Sequence, residues 1–403
     1  MSGCLFGALK YWNFEILEFM KGSVMEIIKG SFTEARVFAD DLDMYARAQI
    51  QMICDNEAAT GSRICVMPDV HPGAVGPIGL TMTIGDRMIP NLLGADIGCG
   101  ISCVKIAGTG GRKRKIEFQK LDTVIRERVP FGFALRREPH AAAKDFPFEE
   151  LRCYRHIDCA KAELSLGTGG GGNHFLEADM AEDGSIYLAV HSGSRHLGKE
   201  IAEYYVSEGA RLLKERGEDV PYPMTYISGE LMADFIHDVK TAQKFAMLNR
   251  RIILTEVMRG MKLKEEESFS SVHNYVDENA EDGTLILRKG AISACAGERV
   301  IIPINMRDGM IIGTGKGNAE WNYSAPHGSG RIMRRDMVKE SHTVSEFKKE
   351  MKGIYSSCIG ADTLDESPFA YRKTDEIVRA IEETVDVIEV LKPIYNYKAG
   401  NRR

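Results

Sequence analysis

The chain has 403 residues, 44% apolar and 27% charged, which excludes a disordered polymer and leaves room for a large buried core. A net charge of −6 excludes a protein held on nucleic acid by bulk attraction, so any polyanion site must be a local basic patch. Nine cysteines without a CxxC pair point to reduced thiols and a cytoplasmic location, and no run approaches the ~20 apolar residues that would cross a membrane. The first residues do not read as a signal peptide, since Asn13, Glu15 and Glu18 break the apolar stretch. Met20 and Met25 are alternative starts, so residues 1–24 read as an extension and 25–403 as a single catalytic domain.

Residues 24–60 alternate short apolar runs with acids and then show a helical pattern around Ala46–Ile53. Between Ile64 and Ile106 glycine punctuates short, β-rich runs, predicting strands at Ile64–Met67, Leu80–Ile84, Met88–Leu93 and Ile101–Ile106. From Arg112 to Arg137 nine basic residues face three acidic ones, which suits either an RNA backbone or a solvated helix face. Lys199–Arg216 carries Ile201, Tyr205, Leu212 and Leu213 near helical spacing, with Gly217 as a stop. Pro221 and Pro223 make 218–224 a loop, and Met232–Met261 predicts a long helix with Phe235, Ile236, Val239, Ala242, Ala246 and Leu248 on one face. Residues 284–317 return to strand-like runs. Thr374–Leu391 predicts a last amphipathic helix, with Asp375 and Glu376 near its start and Pro393 beyond its end. The irregular alternation, without repeats or linkers, predicts an α+β fold: one large mixed α/β body.

Glycine is the unusual component, 40 residues or about one in ten against a typical ~7%. The informative ones cluster with histidines in GADIGCG (94–100), GTGGGGNHFLE (167–177), HSGSRHLGK (191–199) and APHGSGR (325–331), and VHNY (272–275) adds His273. Glycine lets backbone approach a ligand closely and lets successive N–H groups face an anion. Asp96 and Cys99 sit three apart on one tight loop, and His174, His191, His273 and His327 each lie in a polar or glycine-flanked turn. That set suits a metal site, with zinc first on ligand softness alone. Arg195 and Arg331 each follow a histidine by four residues, and an arginine fork matches phosphate oxygens.

Taken together, these segments resemble the RtcB-type RNA-splicing ligases, which join RNA ends with GTP and manganese. DVHPG (69–73), GADIGCG, GGGNHFLE, HSGSR, HNY, RKGA (288–291), HGSGR and YNYK (395–398) occur in family order from about Met25 to Lys398. INMRDG (304–309) and the KGN before WNYSAPH resemble the bacterial branch. The resemblance implies a deep central cleft holding two manganese ions that share Cys99 as a bridging thiolate. Asp96 and His174 would complete one metal's ligands, and His191 and His273 the other's; manganese then replaces the zinc expectation. His327 would take GMP from GTP, with Asn173, Glu177 and Asn305 holding the guanylate, Tyr371 and Lys398 near the base, and Arg195 and Arg331 on phosphates. The implied partners are RNA with a 3′-phosphate or 2′,3′-cyclic phosphate end and a 5′-hydroxyl end.

One departure concerns Met310. The family generally has a serine there that helps recognise guanine, and methionine donates no hydrogen bond. Two other readings stand beside the ligase: a metal-dependent phosphoesterase that opens cyclic phosphates without ligating, and a nucleic-acid-binding module with a structural metal. Arg334 and Arg335 are further candidate contacts to an RNA backbone.

Overall fold

The computed structural model describes residues 26–110, 116–278, 280 and 282–400. The extension 1–24, Arg112–Lys115 of the basic stretch and the last three residues lie outside the described residues. The chain opens with a hairpin of β1 (Glu26–Lys29) and β2 (Glu34–Val37), followed by α1 (Met44–Cys54). Asp43 starts that helix by accepting from the amides of Tyr45 and Ala46, two of the donors a helix leaves unpaired.

Next come β3 (Ile64–His71), β4 (Ile78–Thr83), the two-residue β5 (Arg87–Met88) and β6 (Gly100–Ile106). The strand expected at Met88–Leu93 stops after Met88. Pro90 lacks a ladder N–H and its fixed φ suits the first position of a helical turn, so Pro90–Leu92 is a 3-10 turn. After α2 (Phe118–Arg128) and α3 (Cys159–Ser165) come β7 (Phe175–Met180) and β8 (Ile186–Ser192). Then follow α4 (Arg195–Glu215), β9 (Ile227–Ser228) and the 33-residue α5 (Gly229–Met261). The two long helices stand where the apolar spacing puts them.

The second half is largely strands: β10 (Glu265–Val272), β11 (Asn274–Asp277), β12 (Ile286–Lys289), β13 (Ala291–Ser293), β14 (Arg299–Asn305), β15 (Gly309–Gly315) and β16 (Ser324–Pro326). Two short helices, α6 (Arg335–Ser341) and α7 (Val344–Glu350), precede α8 (Thr374–Ala380) and the 14-residue β17 (Val385–Lys398). The last helix expected over Thr374–Leu391 is therefore corrected: only its first seven residues are helical. Beyond them Val385, Val387, Ile388 and Val390 are β-branched, which disfavours a helix, and the segment finds partners in β15 and then β7.

A six-stranded sheet runs β1-β2-β3-β4-β12-β11 and a seven-stranded sheet β10-β6-β8-β7-β17-β15-β14. α5 packs against β6, β8, α2 and α4. One core joins the first sheet to α1, α4 and α5, and another joins the second sheet to α2 and α5. Register then places the functional loops. In β10-β6-β8-β7, Val272 opposes Gly100, Gly100 opposes Ser192, and His191 opposes Phe175. His273, Cys99 and His174 sit in loops next to these strands, whereas His191, expected in a turn, is the next-to-last residue of β8; all four emerge at the same end of four adjacent strands.

Candidate active site

At that end five side chains converge. Cys99 Sγ lies 3.3 Å from both His174 Nε2 and His191 Nε2, and His191 Nε2 lies 3.3 Å from His273 Nε2. Asp96 Oδ2 is 3.0 Å from His174 Nε2. The donor atoms form two groups, Cys99/His191/His273 and Asp96/Cys99/His174, each within 4.8 Å, and Cys99 belongs to both. Donors about 2.0–2.3 Å from a metal stand roughly 3.3–3.7 Å apart around a tetrahedron, so the spacing fits ligands.

The chemistry of the donor set fits as well. Burial holds His191 and His273 well below the ordinary histidine pKa, so both rings are neutral with a lone pair to give. Asn173 O lies 3.2 Å from His191 Nδ1 and takes its proton, which turns Nε2 inward. Burial raises the Cys99 thiol, while the Arg250 and Arg195 guanidiniums favour its thiolate. Burial works against an ionised Asp96, but the hydrogen bond from His174 and the Arg195 charge outweigh it and hold its pKa at about 2. Asp96 Oδ1 and His174 Nδ1 are buried without partners among the described residues.

Glycine is required around these ligands. A Cβ on Gly193 would sit 2.1 Å from Asp96 Oδ1, and one on Gly170 would sit 1.7 Å from His174 Nδ1. From below, α5 clamps the loops with two fully buried polar side chains. Arg250 donates to Gly98 O at 2.7 Å and Ser192 O at 2.8 Å. Asn249 accepts from the amides of Gly167 and Thr168 and donates to Gly193 O. Arg195 opens α4 with φ +57, a left-handed conformation costly outside glycine and found mostly at functional sites.

His327, leaving β16, stands beside the cluster with its ring centroid 4.8 Å from that of His273. Its Nδ1 is 2.7 Å from Asp69 Oδ2, and the Asp69 side chain is fully buried. In the neutral ring, a proton on Nδ1 donated to Asp69 leaves the Nε2 lone pair free. His327 lines a cavity of about 270 Å³ together with Asn173, Glu177, Asn305, Arg331, Tyr371 and Lys398. In its lining Lys398 Nζ donates to Glu366 Oε2 at 2.8 Å, and Glu366 also accepts from Tyr371 Oη at 2.6 Å and from Arg335 Nη1. Burial opposes an ionised Glu366, but Lys398, Arg335 and Arg331 overcome it and its pKa falls far below the carboxylate range.

Of the other residues expected from the sequence, several are not free for a ligand. The Arg331 fork is taken by Asp365 O, Met333 O and Tyr371 Oη. Arg195 lies by Asp96 and Cys99 rather than in the cavity lining, with Nη2 on Gly132 O. Asn305 Oδ1 accepts from the amides of Arg307 and Asp308 and shapes the turn beneath the cavity. Met310 is fully buried among Phe175, Ile301 and Leu391 and does not line the cavity.

Residues 53–152 and 151–399 match the family described as tRNA-splicing ligase RtcB. The chain belongs to the RtcB family. It is 30% identical to the RNA-splicing ligase RtcB of Escherichia coli K12 over 363 residues, covering 82% of this chain and 88% of that one. It is 27% identical to the tRNA-splicing ligase RtcB of Aeropyrum pernix over 402 residues, covering 78% and 83%. Membership accounts for the order of the glycine-rich motifs, but several RtcB residues escaped a reading of the sequence. Asp69 lay in a motif noted only for its order. Asn249 and Arg250 were hidden in a helix, where their signal is two polar residues on a buried stripe. Glu366 carried no signal. Lys289 of RKGA is buried without a hydrogen bond or ion pair among the described residues, and burial brings its pKa down to about 8.

Proposed function

We propose that this chain joins an RNA 3′-phosphate or 2′,3′-cyclic phosphate end to a 5′-hydroxyl end, with GTP as co-substrate and two manganese ions as cofactors. As a member of the RtcB family it is an RNA ligase of splicing or repair. The observation that carries the finer reading is the pair of candidate ligand groups sharing Cys99, with His327 beside them and lining a cavity with Asn173, Glu177 and Lys398.

In this reading Asp96, Cys99 and His174 hold one metal, and Cys99, His191 and His273 the other. When bound, the metals neutralise triphosphate charge and line up the phosphorus for in-line displacement. His327 uses its neutral Nε2 to attack the α-phosphorus of GTP; an N–P bond forms, the P–O bond to pyrophosphate breaks, and Asp69 keeps the imidazole proton at Nδ1. The histidine then gives GMP to the RNA 3′-phosphate, which turns that end into an activated ester. The incoming 5′-hydroxyl attacks and GMP leaves. Asn173, Glu177 and Lys398 line the cavity that would receive the nucleotide. Lys289, a buried cation without an anion, suits a phosphate oxygen of either substrate. The free thiols described in the chain suit the reducing cytoplasm.

The test is a joining assay with a labelled RNA bearing 3′-phosphate and 5′-hydroxyl ends, GTP and Mn²⁺. Joined product that disappears on chelation or without GTP is expected. Opening of a 2′,3′-cyclic phosphate without any joining would select the phosphoesterase instead.

A further inference from the structure

Glu177 and Asp179 stand two residues apart on β7, so both side chains point to the same face of the sheet. Both are buried, Glu177 to 3% exposure and Asp179 to 0%. Asn396 donates to Glu177 Oε2. Neither Asp179 oxygen has a donor among the described residues other than what Glu177 can share with it. Two ionised carboxylates cannot satisfy each other, because each only accepts. Within hydrogen-bonding reach and out of water, the pair is stable only if it holds a proton between its members.

The neighbours decide which member holds it. Asn396 and Lys398 of β17 both act on Glu177 and favour its anion. Asp179 faces Tyr187 across β8 and Cys103 of β6, with Arg299 and Glu267 beyond Cys103. Burial and the Glu177 charge both drive the Asp179 pKa far above the carboxylate range. Only Glu177 of the two lines the cavity.

Resting on the reading of that cavity as the guanylate site, we propose that Asp179 is a positioning residue for base selection. As a carboxylic acid it donates a hydrogen bond to Glu177 and leaves Glu177 as the acceptor for the N–H edge of guanine. Adenine presents an acceptor at the corresponding ring nitrogen, so an ionised Glu177 accepts guanine and rejects adenine. Glu177 is itself pushed up by burial to about 7, with the Asp179 and Asn396 hydrogen bonds holding it from rising further. Selectivity for guanine therefore fades as pH falls through neutrality and the pair takes its second proton, on Glu177.

The experiment measures covalent labelling by α-labelled GTP and ATP with Mn²⁺ across pH. Their ratio cancels the ionisation of His327, the metal ligands and the triphosphate. In wild type the GTP preference drops on the acid side. Asp179→Asn keeps a donor in the same place and is expected to follow wild type. Asp179→Leu loses the donor, which raises the Glu177 pKa, moves the drop to higher pH and cuts the preference at neutral pH by about tenfold. A ratio in Asp179→Leu that follows wild type, or an Asp179→Asn variant shifted as far as Asp179→Leu, overturns the proposal while leaving the guanylate site standing. Wild type that takes up no GMP overturns the guanylate reading and this proposal with it.

Discussion

A histidine is a useful nucleophile only in the right tautomer, and in the proposed mechanism Asp69 sets that of His327. The buried Asp69 carboxylate accepts from His327 Nδ1 at 2.7 Å and so frees Nε2. Asp69→Asn keeps the shape but presents an amide that donates to Nδ1, which moves the proton to Nε2 and removes the attacking lone pair. The single-turnover rate of GMP uptake should fall by about 10²-fold or more, with the melting temperature moved far less. A rate within about threefold of wild type would remove Asp69 from that role. The histidines and Cys99 stood out in the sequence because side chains able to ligate a metal recur there beside glycine, asparagine and serine. Asp69 and Glu366 did not, since an aspartate or glutamate looks the same on a surface as in a buried pair until the fold supplies its partner.

The elements tell a similar story at larger scale. The α5 helix followed from apolar spacing because it buries one continuous stripe, and the strands of 284–317 followed from β-branched runs. The end of the chain did not, because 385–391 is amphipathic in either periodicity and long-range pairing with β15 decides it. Ile388 and Leu391 separate the two structures. Three apart on a helix they would share a face, whereas in β17 they point to opposite sides: Leu391 is fully buried and Ile388 is 63% exposed. In urea unfolding Leu391→Ala should cost about 2–5 kcal/mol and Ile388→Ala about 0.5 kcal/mol or less. Similar losses at both sites would restore the helix. The difference bears on function, because β17 carries Asn396 and Lys398 to the cavity floor and its register with β7 sets Asn396 opposite Glu177.

For the whole molecule, the glycine excess is largely the cost in backbone freedom of bringing loops from Asp69 to Lys398 to one place. The register of four adjacent strands aligns the metal turns, and Asn249 and Arg250 tie them to the central helix. The basic stretch was read evenly between an RNA contact and a helix face. Three of its described arginines are paired within the chain: Arg126 with Asp122, Arg128 with Glu256, and Arg136 with backbone carbonyls of Leu166 and Gly167. In the cleft, two groups of candidate ligands share Cys99 beside His327. The most direct measurement incubates the full chain with α-labelled GTP and Mn²⁺ and looks for an acid-labile covalent adduct. Wild type is expected to form an adduct that is lost with His327→Ala and lost on chelation. No adduct on wild type, or equal labelling of His327→Ala, would contradict the proposed mechanism.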